Sequence, residues 1–151
     1  MPNDRIQNFL NTIRQIESSG GKDTDHPEME SGLQAGTQAY GQYGLMPNTV
    51  KEVAKRNIMG GNDDPDMQTL NKLDPTQVND YLAQKPELEQ NVAQTLADRV
   101  LQRQGGDEEK AAYSWNMGHN LTPDQIVQRD YLNHPYVRKF DMIKNMVKPG
   151  K

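Results

Sequence analysis

Glu17, in the stretch "RQIESSGGKD" from Arg14 to Asp23, is a carboxylate on an apolar face. It follows Ile13 by four residues and Leu10 by seven, so on a helix it projects from the middle of the apolar stripe. Two effects push the pKa of an acid there upward. Desolvation disfavours the anion, and so does the negative end of the helix dipole, because Gly20 and Gly21 place Glu17 in the last turn. An acid kept protonated near neutral pH can donate its proton to a glycosidic oxygen. The competing reading is structural: Glu17 flanks the edge of the core and reaches solvent.

Other segments offer further chemistry. Asp23, Asp25, Glu28 and Glu30 follow Glu17 on one stretch. Any of them can serve as a second carboxylate that activates water or stabilises an oxocarbenium ion; equally, all four can simply be solvated. Neither "DTDHPEME" nor "NDDPD" has the glycine and terminal glutamate spacing of a calcium-binding EF-hand loop. In "AYGQYGLMPNT" (39–49), Gly41 and Gly44 would let the backbone approach a ligand closely, and Tyr40 and Tyr43 would stack on sugar rings. The plain alternative is a turn before a helix. "AAYSWNMGHN" (111–120) holds the single tryptophan, Trp115, beside Asn116 and Gly118, which reads either as a binding segment or as a core anchor followed by a helix cap.

The elements that must position these residues are helices. Ile6, Phe9, Leu10, Ile13 and Ile16 form one face of a first helix from about Asn3 or Asp4, the candidate N-caps, to Ser18. A second helix starts at Pro47 and runs through "NTVKEVAKRN". Short helices are expected at 66–72 and 75–84. The longest starts at Pro86, with Leu88, Val92, Ala93, Leu96, Ala97, Val100 and Leu101 on one face and Gly105-Gly106 at its end. Further helices are expected at about 107–117, 123–131 and 135–147. Strand-like alternation is nearly absent. From Gly20 to Met46 runs a stretch of more than 25 residues with little periodicity, of a length that in compact domains usually carries function.

Composition narrows the classes. A chain of 151 residues is expected to form one domain. Mean hydropathy is -0.97, and Leu, Ile, Val and Phe number only 27, yet net charge is just -4 and eight methionines add apolar volume. A small folded domain with a modest core is the expectation. The absence of cysteine excludes disulfides, cysteine nucleophiles and thiolate metal sites. His26, His119 and His134 are too scattered for a paired ligand motif, and neither metal nor other cofactor is expected. The acidic balance speaks against nucleic acid. No apolar run spans a membrane, and residues 1–20 lack a signal-peptide pattern.

Taken together and in order, three segments resemble the lysozyme-like lytic transglycosylases (soluble lytic transglycosylase domain, glycoside hydrolase family 23). Glu17-Ser18 is similar to that family's Glu-Ser at a helix end. Gly41-Gln42-Tyr43-Gly44-Leu45-Met46-Pro47-Asn48-Thr49 resembles its Gly-Leu-Met-Gln-x-x-Pro-x-Thr segment, and Trp115-Asn116-Met117-Gly118 its Ala-Tyr-Asn-x-Gly. "HPYVRKF" (134–140) looks like its late Tyr-Val segment. Gly44 stands where the family usually has Gln, Trp115 where it has Tyr (with Tyr113 nearby), and no clear acid precedes Tyr136.

The resemblance covers about residues 5–140 and implies a mainly α, goose-type lysozyme-like domain with a long active-site loop. It further implies cleavage of the MurNAc–GlcNAc β-1,4 bond of peptidoglycan glycan strands, with Glu17 as the single catalytic acid and base and 1,6-anhydro-MurNAc as product. Ser18, Tyr43, Gly44, Met46, Tyr113, Trp115, Asn116 and Tyr136 would contact the substrate. The wording of the second motif looks most like tailed-phage domains, implying a virion or phage-encoded protein acting in the host periplasm or cell wall, as a monomer or as part of a larger phage protein. Rival expectations are a hydrolysing muramidase on the same fold using Asp25 or Glu30, an inactive virion structural or wall-binding module, and, third, a chitinase.

Overall fold

The computed structural model describes residues 2–21, 38–61 and 63–146. The acids Asp23, Asp25, Glu28 and Glu30 lie outside the described residues, as do His26 and most of the aperiodic stretch after Gly21. The described chain is mainly helical: α1 (Pro2–Ser18), α2 (Pro47–Met59), α3 (Pro65–Lys72), α4 (Pro75–Gln84), α5 (Pro86–Arg103), α6 (Glu108–Met117), α7 (Pro123–Gln128), a 3-10 turn (Tyr131–Asn133) and α8 (Pro135–Met146). A proline opens every one of these helices except α6. Its fixed φ suits the first turn, and the N–H it lacks would have no intrahelical partner there.

Two boundaries differ from the sequence reading. The first helix begins at Pro2, so Asp4 lies in its first turn rather than capping it, where its charge still favours the positive helix end. The helix expected over 123–131 stops at Gln128, and Asp130 takes a left-handed φ of 52° that leads into the 3-10 turn. Val127 is exposed, so no apolar contact carries α7 onward.

α5 is the central element. α1 and α6 pack on it, α8 packs on α1 and α6, and α2, α3 and α4 form a second group reaching α5 through α2 and α4. The main core joins Phe9, Leu10 and Ile13 of α1, Val50 and Val53 of α2, Val92, Leu96 and Val100 of α5, and Phe140 of α8. A smaller cluster joins Tyr113, Ile126 and Val137. Among the described residues no helix is long and apolar enough to cross a membrane.

Candidate active site

The apolar face of α1 delivers Glu17 to the end of its helix, half-buried. The helix stops because Ser19, Gly20 and Gly21 all take left-handed backbone, at φ of 52°, 77° and 93°. The Ser19 and Gly20 N–H groups donate back to the Gln15 and Arg14 carbonyls at 3.1 and 3.3 Å, closing the last turn. Ser18 is buried, and its hydroxyl accepts from the Gly21 N–H at 2.9 Å while lying 2.8 Å from the Gln42 carbonyl oxygen and 3.0 Å from that of Arg14. The helix end is thus tied to the second motif.

That motif is a tight turn. Tyr40 and Leu45 exchange two backbone hydrogen bonds, 2.7 and 3.0 Å, and Gly41 to Gly44 loop between them. Gly44 has a φ of +62°, and a Cβ there would meet Glu17 Oε1 and lie 2.8 Å from Glu17 Cδ. Only glycine lets the turn lie flush against the carboxyl. The Arg14 side chain donates to Gln42 Oε1, a second tie between α1 and the turn.

The late segment closes the other side. His134 Nδ1 accepts the Tyr136 N–H at 3.2 Å and so caps α8. Tyr136, in the first turn of that helix and 9% exposed, donates its hydroxyl to Glu17 Oε2 at 2.7 Å. Burial, then the charge and hydrogen bond of Glu17, hold the Tyr136 phenol well above its ordinary pKa, so it stays a donor at any physiological pH. The acid is half-buried rather than fully desolvated, and Tyr136 satisfies one of its oxygens.

The remaining candidate residues divide by exposure. Tyr43 is buried, with its hydroxyl donating to Gln90 Oε1 at 2.8 Å. Its ring is core, not a platform for a sugar. Tyr113 is buried as well, edge-on to His134 at 5.2 Å. Trp115 is half-buried: its ring meets Phe9 edge-on at 6.0 Å, and its Nε1 donates to the Tyr43 carbonyl at 3.1 Å. It therefore anchors the turn to α6. Asn116 is exposed, and Met46 is half-buried at the N-cap of α2. Glu17, Gly44 and Tyr136 form the inner constellation, and Ser18, Tyr43 and Trp115 brace it.

Sequence reasoning missed Glu89. It is 7% exposed on α5, and its Oε2 accepts the Gln42 N–H at 2.9 Å. Burial pushes its carboxyl pKa up, against the Gln42 hydrogen bond. The signal was available: Glu89 precedes Val92, Ala93 and Leu96 by three, four and seven, on the same apolar stripe.

A separate cleft of about 510 Å³ lies between α2 and the loop after α6, lined by Asn48, Thr49, Glu52, Gly118, His119, Asn120, Leu121 and Gln125. Neither Glu17 nor Tyr136 lines it. His119 Nε2 lies 3.3 Å from Glu52 Oε1 without the alignment of a hydrogen bond. Burial, aided by Arg99 and Arg56, keeps the His119 pKa below its ordinary value despite the nearby Glu52. Burial raises Glu52, but His119, Arg56 and Asn120 outweigh it and hold Glu52 below the usual range. Arg56 bridges Glu52 and Asn120 at 3.2 and 3.1 Å, joining the helix of the second motif to the loop of the third.

Among the described residues no group of three His, Asp or Glu side chains could hold a metal ion. Comparison with known protein families, with curated proteins and with solved structures found no match.

Proposed function

We propose that this chain is a lysozyme-like lytic transglycosylase domain that cuts peptidoglycan glycan strands at the MurNAc–GlcNAc β-1,4 bond, of the type carried by bacteriophages. The observation that carries the reading is convergence. The helix-end Glu17, the glycine turn and the late Tyr136, three segments that resemble the family's motifs, meet at one carboxyl group.

In this reading the protonated Glu17 gives its proton to the bridging O4 as the C1–O4 bond breaks, and the GlcNAc side leaves as an alcohol. The Glu17 carboxylate then takes the proton of the MurNAc 6-hydroxyl, and O6 closes on C1 to form the 1,6-anhydro ring. One carboxyl serves both steps because an intramolecular hydroxyl takes the place of water. Tyr136 holds Oε2 by its hydrogen bond, and Oε1 lies beside Gly44, so both sides of the acid are set by the motifs. The Gly44 backbone does what a larger residue could not, since any Cβ there would displace the acid. Gly44 in place of the family's Gln fits the close approach of Glu17.

Mass spectrometry of purified sacculi digested by the protein tests this. Fragments ending in 1,6-anhydro-MurNAc are expected. Reducing MurNAc ends would replace the proposal with a hydrolysing muramidase, and no turnover at any pH would replace it with a wall-binding module.

A further inference from the structure

The turn that carries Gly44 is gripped between two carboxylates, and the chemistry above uses only one. Gly41, at a φ of +72°, faces Glu89 of α5 as Gly44 faces Glu17 of α1. A Cβ on Gly41 would meet Glu89 Oε2 and lie 2.8 Å from Glu89 Cδ, the same clearance that Gly44 has from Glu17 Cδ. Between the two glycines, Gln42 works as a strut. Its N–H donates to Glu89 Oε2 at 2.9 Å, and its carbonyl lies 2.8 Å from the hydroxyl of Ser18, the residue next to Glu17. The neighbouring Gln90 takes the Tyr43 hydroxyl at 2.8 Å.

Burying an acid is unfavourable unless it is well bonded. An apolar residue at 89 would fill the same core space but leave the Gln42 N–H without this acceptor. Tyr40, half-buried beside it, has its own pKa raised by burial and by the charge of Glu89. The acid is kept where the turn needs a fixed acceptor.

We propose that Glu89 is a positioning residue for Glu17: by holding the Gln42 N–H it fixes the Gly41–Gly44 turn and, through that turn and Ser18, the placement of the Glu17 carboxyl. The consequence for catalysis rests on the lytic reading of Glu17; the consequence for placement does not.

The test compares the full chain with Glu89→Ala and Glu89→Gln. It measures kcat and KM on soluble peptidoglycan fragments, and the titration of the Glu17 side-chain carboxyl by carbon-13 NMR. In Glu89→Ala, kcat is expected to fall roughly 10- to 100-fold, as small misplacements of a reacting group do, with KM little changed and the Glu17 titration midpoint shifted. Glu89→Gln keeps an oxygen that accepts the Gln42 N–H, and is expected to restore most of both. Where Glu89→Ala does not fold, Glu89→Asp, which withdraws the acceptor by one methylene, replaces it with the same expectation. A Glu17 titration unmoved in the folded variants overturns the proposal whatever activity does, because Glu89 is then a packing residue. A wild-type protein inert on peptidoglycan, with a Glu17 titration that follows Glu89, removes the lytic reading and leaves the positioning role standing.

Discussion

The Tyr136 hydroxyl donates to Glu17 Oε2 at 2.7 Å across 119 residues of chain. This bond couples the last turn of α1 to the first turn of α8. The same two helices carry Phe9 and Phe140, whose rings meet at 5.6 Å. The core therefore sets the separation of the two helix ends, and the separation sets the bond.

Tyr136→Phe removes the donor and keeps the ring. The carboxylate develops as Glu17 gives up its proton, and a hydrogen bond to a charged acceptor is worth about 1.5–3 kcal/mol, so kcat/KM is expected to drop roughly 10- to 100-fold with a small loss of thermal stability. Because the phenol is held well above its ordinary pKa, the wild-type bond persists through neutral and mildly alkaline pH. An alkaline fall in wild-type activity below pH 9 should therefore survive in Tyr136→Phe. Steady-state kinetics against pH check this, and an unchanged kcat/KM would detach Tyr136 from the acid.

Glu17→Gln is expected to abolish turnover and leave the fold intact. The amide oxygen still accepts from Tyr136, and its volume still fits beside Gly44, but an amide neither gives nor takes a proton at neutral pH. Activity on sacculi and the melting temperature together decide the matter. Lysis within a few-fold of wild type would end the catalytic assignment of Glu17.

Much of this arrangement could be read from residue order. Prolines at helix starts and glycine pairs at helix ends punctuate the chain so clearly that α2 to α6 and α8 fall close to their expected bounds. Glu17 was visible because its heptad partners Leu10 and Ile13 are apolar. Glu89 was missed because Glu87, Gln90 and Asn91 surround it in the first turns of α5, where acids are ordinarily solvated and favoured by the helix dipole. The resemblance implies ligand contacts at Tyr43 and Tyr113, yet both are buried. Tyr43 lies in a turn without periodicity, so nothing local tells which way its ring faces. The short α6 buries Ala111 to Ser114 consecutively, leaving no polar face to reveal that Tyr113 turns inward. The Tyr136–Glu17 bond, between segments so far apart, has no local signature.

Gly44→Ala should be costly for two separable reasons. An alanine at φ +62° carries a left-handed backbone penalty of about 1 kcal/mol. Its methyl also collides with the Glu17 carboxyl, adding about 1–3 kcal/mol of overpacking. The second part should vanish when Glu17 is shortened, so Gly44→Ala ought to destabilise the Glu17→Ala protein by only the first. Urea unfolding of the four proteins in this double-mutant cycle measures the coupling. A coupling near zero would mean that the turn does not lie against the carboxyl.

Glu109 of α6 lies beside Asp141 of α8. The hydrogen bond with Asp141, then burial, then repulsion from Asp141 and Asp107 push Glu109 up to about 7, with Lys144 opposing. A carboxyl raised in the fold holds its proton longer than it does in the unfolded chain. Between about 4.5 and about 7 the native state binds more protons, so stability from this pair is full on the acid side and is lost as pH rises through 7. The half-buried His119, with its lowered pKa, acts in the opposite sense, so the pair is read by difference. Asp141→Asn should flatten the decline in urea midpoint between pH 5 and pH 8 relative to wild type. An identical decline in both proteins would show that Asp141 does not raise the Glu109 carboxyl.

Trp115→Phe separates bracing from sugar stacking. Phenylalanine keeps an aromatic ring against Phe9 but loses the Nε1–H that reaches the Tyr43 carbonyl at 3.1 Å. Losing that bond costs about 1 kcal/mol of stability and frees one side of the glycine turn, so kcat should fall several-fold while KM holds. If the indole instead serves chiefly as a platform for the glycan, the smaller ring weakens binding, and KM rises at constant kcat. Kinetics on soluble peptidoglycan fragments distinguish the two. The bracing role is expected to dominate because Trp115 is only half-exposed and its one polar atom is directed at the turn. A rise in KM alone would reassign the indole to the substrate.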